Sequence, residues 1–201
     1  MASEPTPEFP IHIEKGANFT HTFQWLGGGK FIAPIESIEV GYPTIITVTN
    51  HGLNSIDTPH PVIISGVDGC PDLNSVDTGI DLASRMDDNT FSMPVSTVAD
   101  IWVPGTGEIT YFKPTDLTGF TGACQIRKNW YATTILHEIS TALGTMVLNA
   151  ADGSIQLDIS AADTALLSFV GGVYDVDLVS PSGFVTRVMR GPVTLHREIT
   201  I

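Results

Sequence analysis

Asp68, Asp72, Asp77, Asp81, Asp87 and Asp88 form the densest run of potential metal-ligand atoms in the chain. Carboxylate oxygens are the ligands that calcium prefers, but the spacing of a calcium-binding loop is missing and the acids cluster around turn signals. A solvated acidic face is the expected reading. The histidines show neither the His-Glu-x-x-His pattern nor a Cys/His grouping, so no metal site is assigned. His51 and His60 fall on a loop, where a structural or solvent role is expected, and His21 reads as a packed ring. A Ser-His-Asp triad is defined in space rather than by order, yet no Gly-x-Ser-x-Gly elbow occurs. Gly27-Gly28-Gly29-Lys30 lacks the second glycine and the Ser/Thr of a phosphate loop and reads as a connector. Trp102, Trp130 and Tyr131 are the side chains suited to stacking on a sugar ring. Packing at an edge or interface is the favoured role for Trp130 and Tyr131. No catalytic, cofactor-binding or metal-binding residue is assigned, no cofactor is expected, and the chain is expected not to be an enzyme.

The elements that must carry these residues are short and β-rich. The chain has 201 residues and is 42% hydrophobic, enough for a real core in one large domain or two small ones. Its 19 Gly and 13 Pro are spread rather than clustered, which suits many short strands joined by turns. The formal net charge is −13. Phosphate binding needs clustered Lys/Arg, so nucleic acid is not an expected partner. The acid is unevenly placed: residues 31–112 hold eleven Asp/Glu against Arg85 alone, while the rest holds eleven acids and eight bases. Cys70 and Cys124 fall one in each part and read as free thiols. Residues 1–8 have no basic start and no apolar core, so no signal peptide is expected, and no apolar run reaches membrane-spanning length. A soluble protein made in a reducing cytoplasm, without a membrane partner, is the expectation.

Residues 1–10 read as an extended arm, either frayed or docked on a neighbour. Phe19, His21, Phe23 and Trp25 alternate with polar residues, giving a strand with an aromatic face. Residues 45–49 and 62–65 are β-branched runs ending in Asn50-His51-Gly52-Leu53 and Gly66-Val67-Asp68-Gly69 turns. Asp87-Asp88-Asn89 leads into residues 90–93, and 107–112 closes the acidic block with Ile109 and Tyr111 on one side. Gly122, Cys124 and Ile126 share one face, Ile135, His137 and Ile139 alternate, and Val147-Leu148 is a short apolar run. Ile155, Leu157 and Ile159 mark a half-buried strand. Ser160 to Asp163 resembles a capping box with Asp in place of Glu, opening a short helix over 161–169. Tyr174, Val176 and Leu178 face inward, with Asp175 and Asp177 outward. Ser180-Pro-Ser-Gly183 turns this strand into residues 184–190, and Pro192 is expected to open a separate last strand over 193–200.

Two resemblances rest on these pieces. Asp116-Leu-Thr-Gly-Phe-Thr-Gly-Ala-Cys-Gln-Ile-Arg127, Gly153-Ser-Ile-Gln-Leu-Asp-Ile-Ser160, Gly172-Val-Tyr-Asp-Val-Asp-Leu-Val-Ser-Pro-Ser-Gly183 and the opening Ile13-Glu-Lys-Gly-Ala-Asn-Phe19 resemble the immunoglobulin-like domain of tailed-phage structural proteins. They are similar to the N-terminal domain of the baseplate upper protein. Thr47-Val-Thr-Asn-His-Gly-Leu53, Val62-Ile-Ile-Ser-Gly-Val-Asp-Gly69, Leu73-Asn74 and Asn89-Thr-Phe-Ser92 resemble the FCCH-like β-modules found in many phage proteins. The link 54–61 is longer and richer in proline than the usual pattern. Neither resemblance carries a catalytic residue.

The resemblances imply an all-β fold: an Ig-like β-sandwich with one short helix (11–30 plus 113–201), interrupted by a small β-barrel-like domain (31–112). They imply a structural component of a tailed-phage virion, in the tail, baseplate, neck or collar, assembled in the host cytoplasm. Its expected partners are other virion proteins and further copies of itself. The alternative expectation is a carbohydrate-binding adhesion module of a phage tail.

Overall fold

The computed structural model describes residues 6–53, 59–74, 81–150 and 152–197. Among the described residues the fold is all-β with one short helix. In order, the strands are β1 (Ile11–Glu14), β2 (Phe19–Gln24), β3 (Lys30–Pro34), β4 (Ser37–Glu39), β5 (Thr44–Thr47), β6 (His60–Ser65), β7 (Asp81–Arg85), β8 (Thr90–Met93) and β9 (Glu108–Phe112). There follow β10 (Thr121–Arg127), β11 (Ile135–Ser140), β12 (Met146–Asn149), β13 (Ser154–Ile159), helix α1 (Ala161–Leu166), β14 (Gly171–Val179) and β15 (Val185–His196). Two compact units result: Met1–Trp25 with Asp116–Ile201, and Leu26–Thr115.

The discontinuous unit is a β-sandwich. One sheet has the order β1-β15-β14-β10-β11 and the other β12-β13-β2. Alternation along the strands explains the layers. Ile155, Leu157 and Ile159 on β13 and Tyr174, Val176 and Leu178 on β14 are buried and face a common core with Cys124, Ile126 and Ile139. Each such side chain contributes about 1.5–3 kcal/mol on burial. Phe19 and Phe23 of β2 pack against this core.

Three expectations for this unit change. Residues 7–9 of the expected arm lie on their own sandwich: the Phe9 N–H donates to the Arg190 carbonyl (2.8 Å), the Arg190 N–H donates to the Pro7 carbonyl (3.1 Å), and Tyr174 Oη donates to the Phe9 carbonyl (2.7 Å). Residues 1–5 lie outside the described part of the chain. The last strand does not start at Pro192; β15 runs unbroken through it, with Pro192 paired to Val173. At Gly191 a Cβ would overlap the Phe9 carbonyl oxygen, so glycine lets the N-terminal segment approach where the strand continues. The helix stops at Leu166, because Leu167 is already extended (φ −63°, ψ 134°).

The continuous unit holds one seven-stranded antiparallel sheet, β3-β9-β6-β7-β8-β5-β4. It curls into a half-barrel around Ile46, Val62, Ile64, Leu73, Phe91, Met93 and Ile109. Among the described residues, edge strands β3 and β4 are not paired with each other. The unit begins and ends slightly outside residues 31–112. Gly28 N–H donates to the Lys113 carbonyl (2.9 Å) and Lys113 N–H to that of Gly29 (2.8 Å), extending the β3–β9 pairing into the connectors. A Cβ on Gly28 would overlap the Pro114 carbonyl, which accounts for glycine in this connector.

Candidate interaction face

The outward side of β10, β14 and β15 gathers most of the arginine in the sandwich. Strand alternation turns Cys124, Ile126, Tyr174 and Val176 inward and leaves Gln125, Arg127, Asp175 and Asp177 outward. The β14–β15 hairpin sets Asp177 opposite Arg187, and a register shift between Val176 and Asp177 brings Arg190 opposite Asp175. These residues, with Asn129 and Trp130, line a groove of about 450 Å³.

The groove is held by planar, charge-assisted contacts. Arg187 donates to both Asp177 oxygens, Nε to Oδ1 and Nη2 to Oδ2, each at 2.9 Å. Its Nη2 also lies 2.9 Å from Asp175 Oδ2. Burial raises the Asp175 carboxyl above its ordinary range, and Arg187 opposes that shift. The hydrogen bond to Asp177 holds the Arg187 guanidinium pKa higher still. Arg127 Nη2 donates to Gln125 Oε1 (2.6 Å) and its Nη1 to the Ala132 carbonyl (3.1 Å), fixing the loop after β10. Arg190 Nη2 donates to Glu8 Oε1 (2.7 Å), and its guanidinium lies 5.7 Å from the Trp130 ring centroid. Trp130 is 49% exposed and Tyr131 95% exposed. Chemically, this face presents donors and acceptors held in fixed positions beside an aromatic plane.

The other residues singled out by sequence disperse. Trp102 is partly buried in the inserted unit, its Nε1 donating to the Thr106 carbonyl (3.2 Å), so it is not a free platform and does not share a unit with Trp130. His51 is buried, with Nδ1 accepting from Leu53 N–H (3.0 Å) and Nε2 3.3 Å from the Thr90 carbonyl. His60 is buried beside Tyr111, with Nε2 3.4 Å from the Phe112 carbonyl. His21 stacks between Phe9 and Phe23. Asp87 caps its own turn by accepting from Asn89 and Thr90 N–H, which holds its carboxyl below the ordinary range. Asp88 pairs with Arg85, Asp72 sits in a 3-10 turn (Pro71–Leu73), and Asp68 lies in the turn after β6. Asp81 opens β7, and Asp77 lies outside the described residues. Among the described residues no group of three or more His, Cys, Asp or Glu is arranged to hold one metal ion. Cys70 and Cys124 are buried, free and in different units.

Sequence reasoning found Trp130, Tyr131 and the outward Asp175 and Asp177, but not the arginines opposite them. The short Ser180–Gly183 turn carries part of the signal, because counting back from it sets Asp177 against Arg187. The register shift that recruits Arg190 leaves no such mark. No helix among the described residues is long and apolar enough to cross a membrane. No family model matches the chain, and no curated protein matches it in sequence.

Proposed function

We propose that this chain is a structural component of a tailed-phage virion, acting through protein–protein contacts as a multi-copy part of the tail, baseplate, neck or collar. The observation that carries this reading is the build of the chain. One compact β-unit is spliced between β2 and β10 of a β-sandwich, and the sequence pieces resembling phage modules fall on turns and strands. The resemblance supplies the phage assignment; the division into two units supports a construction part with two separate surfaces. Rings of identical subunits form when a head-to-tail interface closes. The exposed Trp130–Tyr131 loop and the neighbouring edge strand β11, with Ile135 and Leu136 partly exposed, form the surface we assign to a neighbour. The test is a nonsense mutation in the gene within the phage that carries it. Particles made without the protein are expected to stall before the tail is complete. Complete, infectious particles would contradict the assignment.

A second reading, a glycan-binding adhesion module, draws on one observation: the half-exposed Trp130 beside the polar groove of Arg127, Asp175 and Arg187. It predicts saturable sugar binding that Trp130→Ala abolishes, measured on a glycan array followed by calorimetry.

A further inference from the structure

The edge of the sandwich opposite β11 carries a pair of histidines that neither the sequence patterns nor the assembly reading uses. β1 runs parallel to β15, with His12 aligned to Thr194 and Glu14 to His196. Ile11 and Ile13 point into the core, so His12 and Glu14 stand outward on the same side of β1. His196 is also exposed. The two imidazoles meet across the strand pair, His196 Nε2 lying 3.5 Å from His12 Nδ1 with ring centroids 5.6 Å apart.

That separation is long for a hydrogen bond between ring nitrogens. It is close to the spacing that a shared metal imposes. Two nitrogens at tetrahedral zinc, each bound at about 2.0–2.1 Å, lie about 3.3–3.4 Å apart. We propose that His12 and His196 form a two-histidine site for a divalent transition-metal cation of the zinc, nickel or copper class, and that the bound ion ties the first strand to the last. Imidazole nitrogen is the ligand type these ions favour. No third His, Cys, Asp or Glu completes a cluster among the described residues. Glu14, in register with His196, adds negative charge on that side of β1. The other four histidines do not compete: His51 and His60 are buried, and His21 and His137 are half-buried.

The ion would bridge the two ends of the sandwich chain where β1 is an edge strand with one neighbour. Binding only the folded form, it would stabilise the sandwich by mass action. The test uses the untagged full chain titrated with zinc, nickel and copper(II) chloride by calorimetry, alongside melting curves. The expected result is one ion per chain with micromolar affinity and a rise in the melting temperature on adding metal. His12→Ala and His196→Ala should each weaken binding by at least roughly tenfold, since even outer-shell changes cost that much. Both residues are exposed, so the metal-free melting temperature of each variant should stay that of the parent. Absence of saturable binding, a double variant that binds like the parent, or one ion shared by two chains would overturn the proposal.

Discussion

His51 shows how a residue with apparent chemical potential becomes a packing element. Its two ring nitrogens face a backbone N–H on one side and a backbone carbonyl on the other, which selects the neutral tautomer with hydrogen on Nε2. Burial lowers its pKa below the ordinary value, and burial does the same at His60. The sign follows from linkage. Above the unfolded histidine pKa both states are neutral and pH has no effect through these groups. Below it the unfolded chain binds protons that the folded chain resists, so stability falls as pH falls toward the lowered folded pKa. The stability of the inserted unit against urea is therefore expected to fall between pH 7 and pH 5, with a shallower pH slope in a His51→Gln/His60→Gln double variant. An unchanged slope would contradict the buried neutral state. The turn around His51 was legible in Asn50-His51-Gly52-Leu53, and both Asn50 (φ 53°) and Gly52 (φ 64°) adopt left-handed backbone. The partner carbonyl of Thr90, supplied by a distant strand, was not, because no local pattern encodes it.

Among the elements, those with strict alternation were readable and those whose place depends on a partner were not. β8 and β13 follow their apolar and polar residues, and Leu157 is fully buried. Leu157→Ala is expected to cost about 2–5 kcal/mol in denaturant unfolding of the sandwich. The Ser160 cap also behaves as its sequence suggests, its Oγ accepting from Asp163 N–H at 3.1 Å, although Asn18 Oδ1 adds a cap on Ala161 N–H that no local pattern announces. Ser160→Ala should cost about 1 kcal/mol. β3, β4 and β7 have too little alternation over too few residues to stand out, and exist because neighbouring strands complete their ladders. The N-terminal segment is the clearest case. Phe9 is held by β15, by the Tyr174 hydroxyl and by stacking on His21 (5.1 Å), none of them near in sequence. Deleting residues 1–10 is expected to lower the melting temperature of the sandwich by several degrees, because it strips the Tyr174 hydroxyl of its acceptor and opens β15 to solvent. A truncated chain with the parent melting curve would show that these contacts carry no weight.

At the scale of the whole chain, the uneven charge and the interrupted strand pattern both pointed to an insertion, and the two compact units have that arrangement. The arginine-rich groove was only half visible, since outward Asp175 and Asp177 can be read along one strand but their partners need the sheet register. Each unit has its own core, so replacing residues 26–115 by a short Gly/Ser linker should leave a sandwich that unfolds in one cooperative transition by calorimetry. Loss of cooperative unfolding would mean that the sandwich depends on the insert. The central claim concerns what the assembled molecule is for, and mass spectrometry of purified virions joined to their cryo-electron density tests it most directly. The account predicts the protein in every particle at a fixed copy number, with density for both β-units in the tail, baseplate or neck; mature virions free of it would contradict the account.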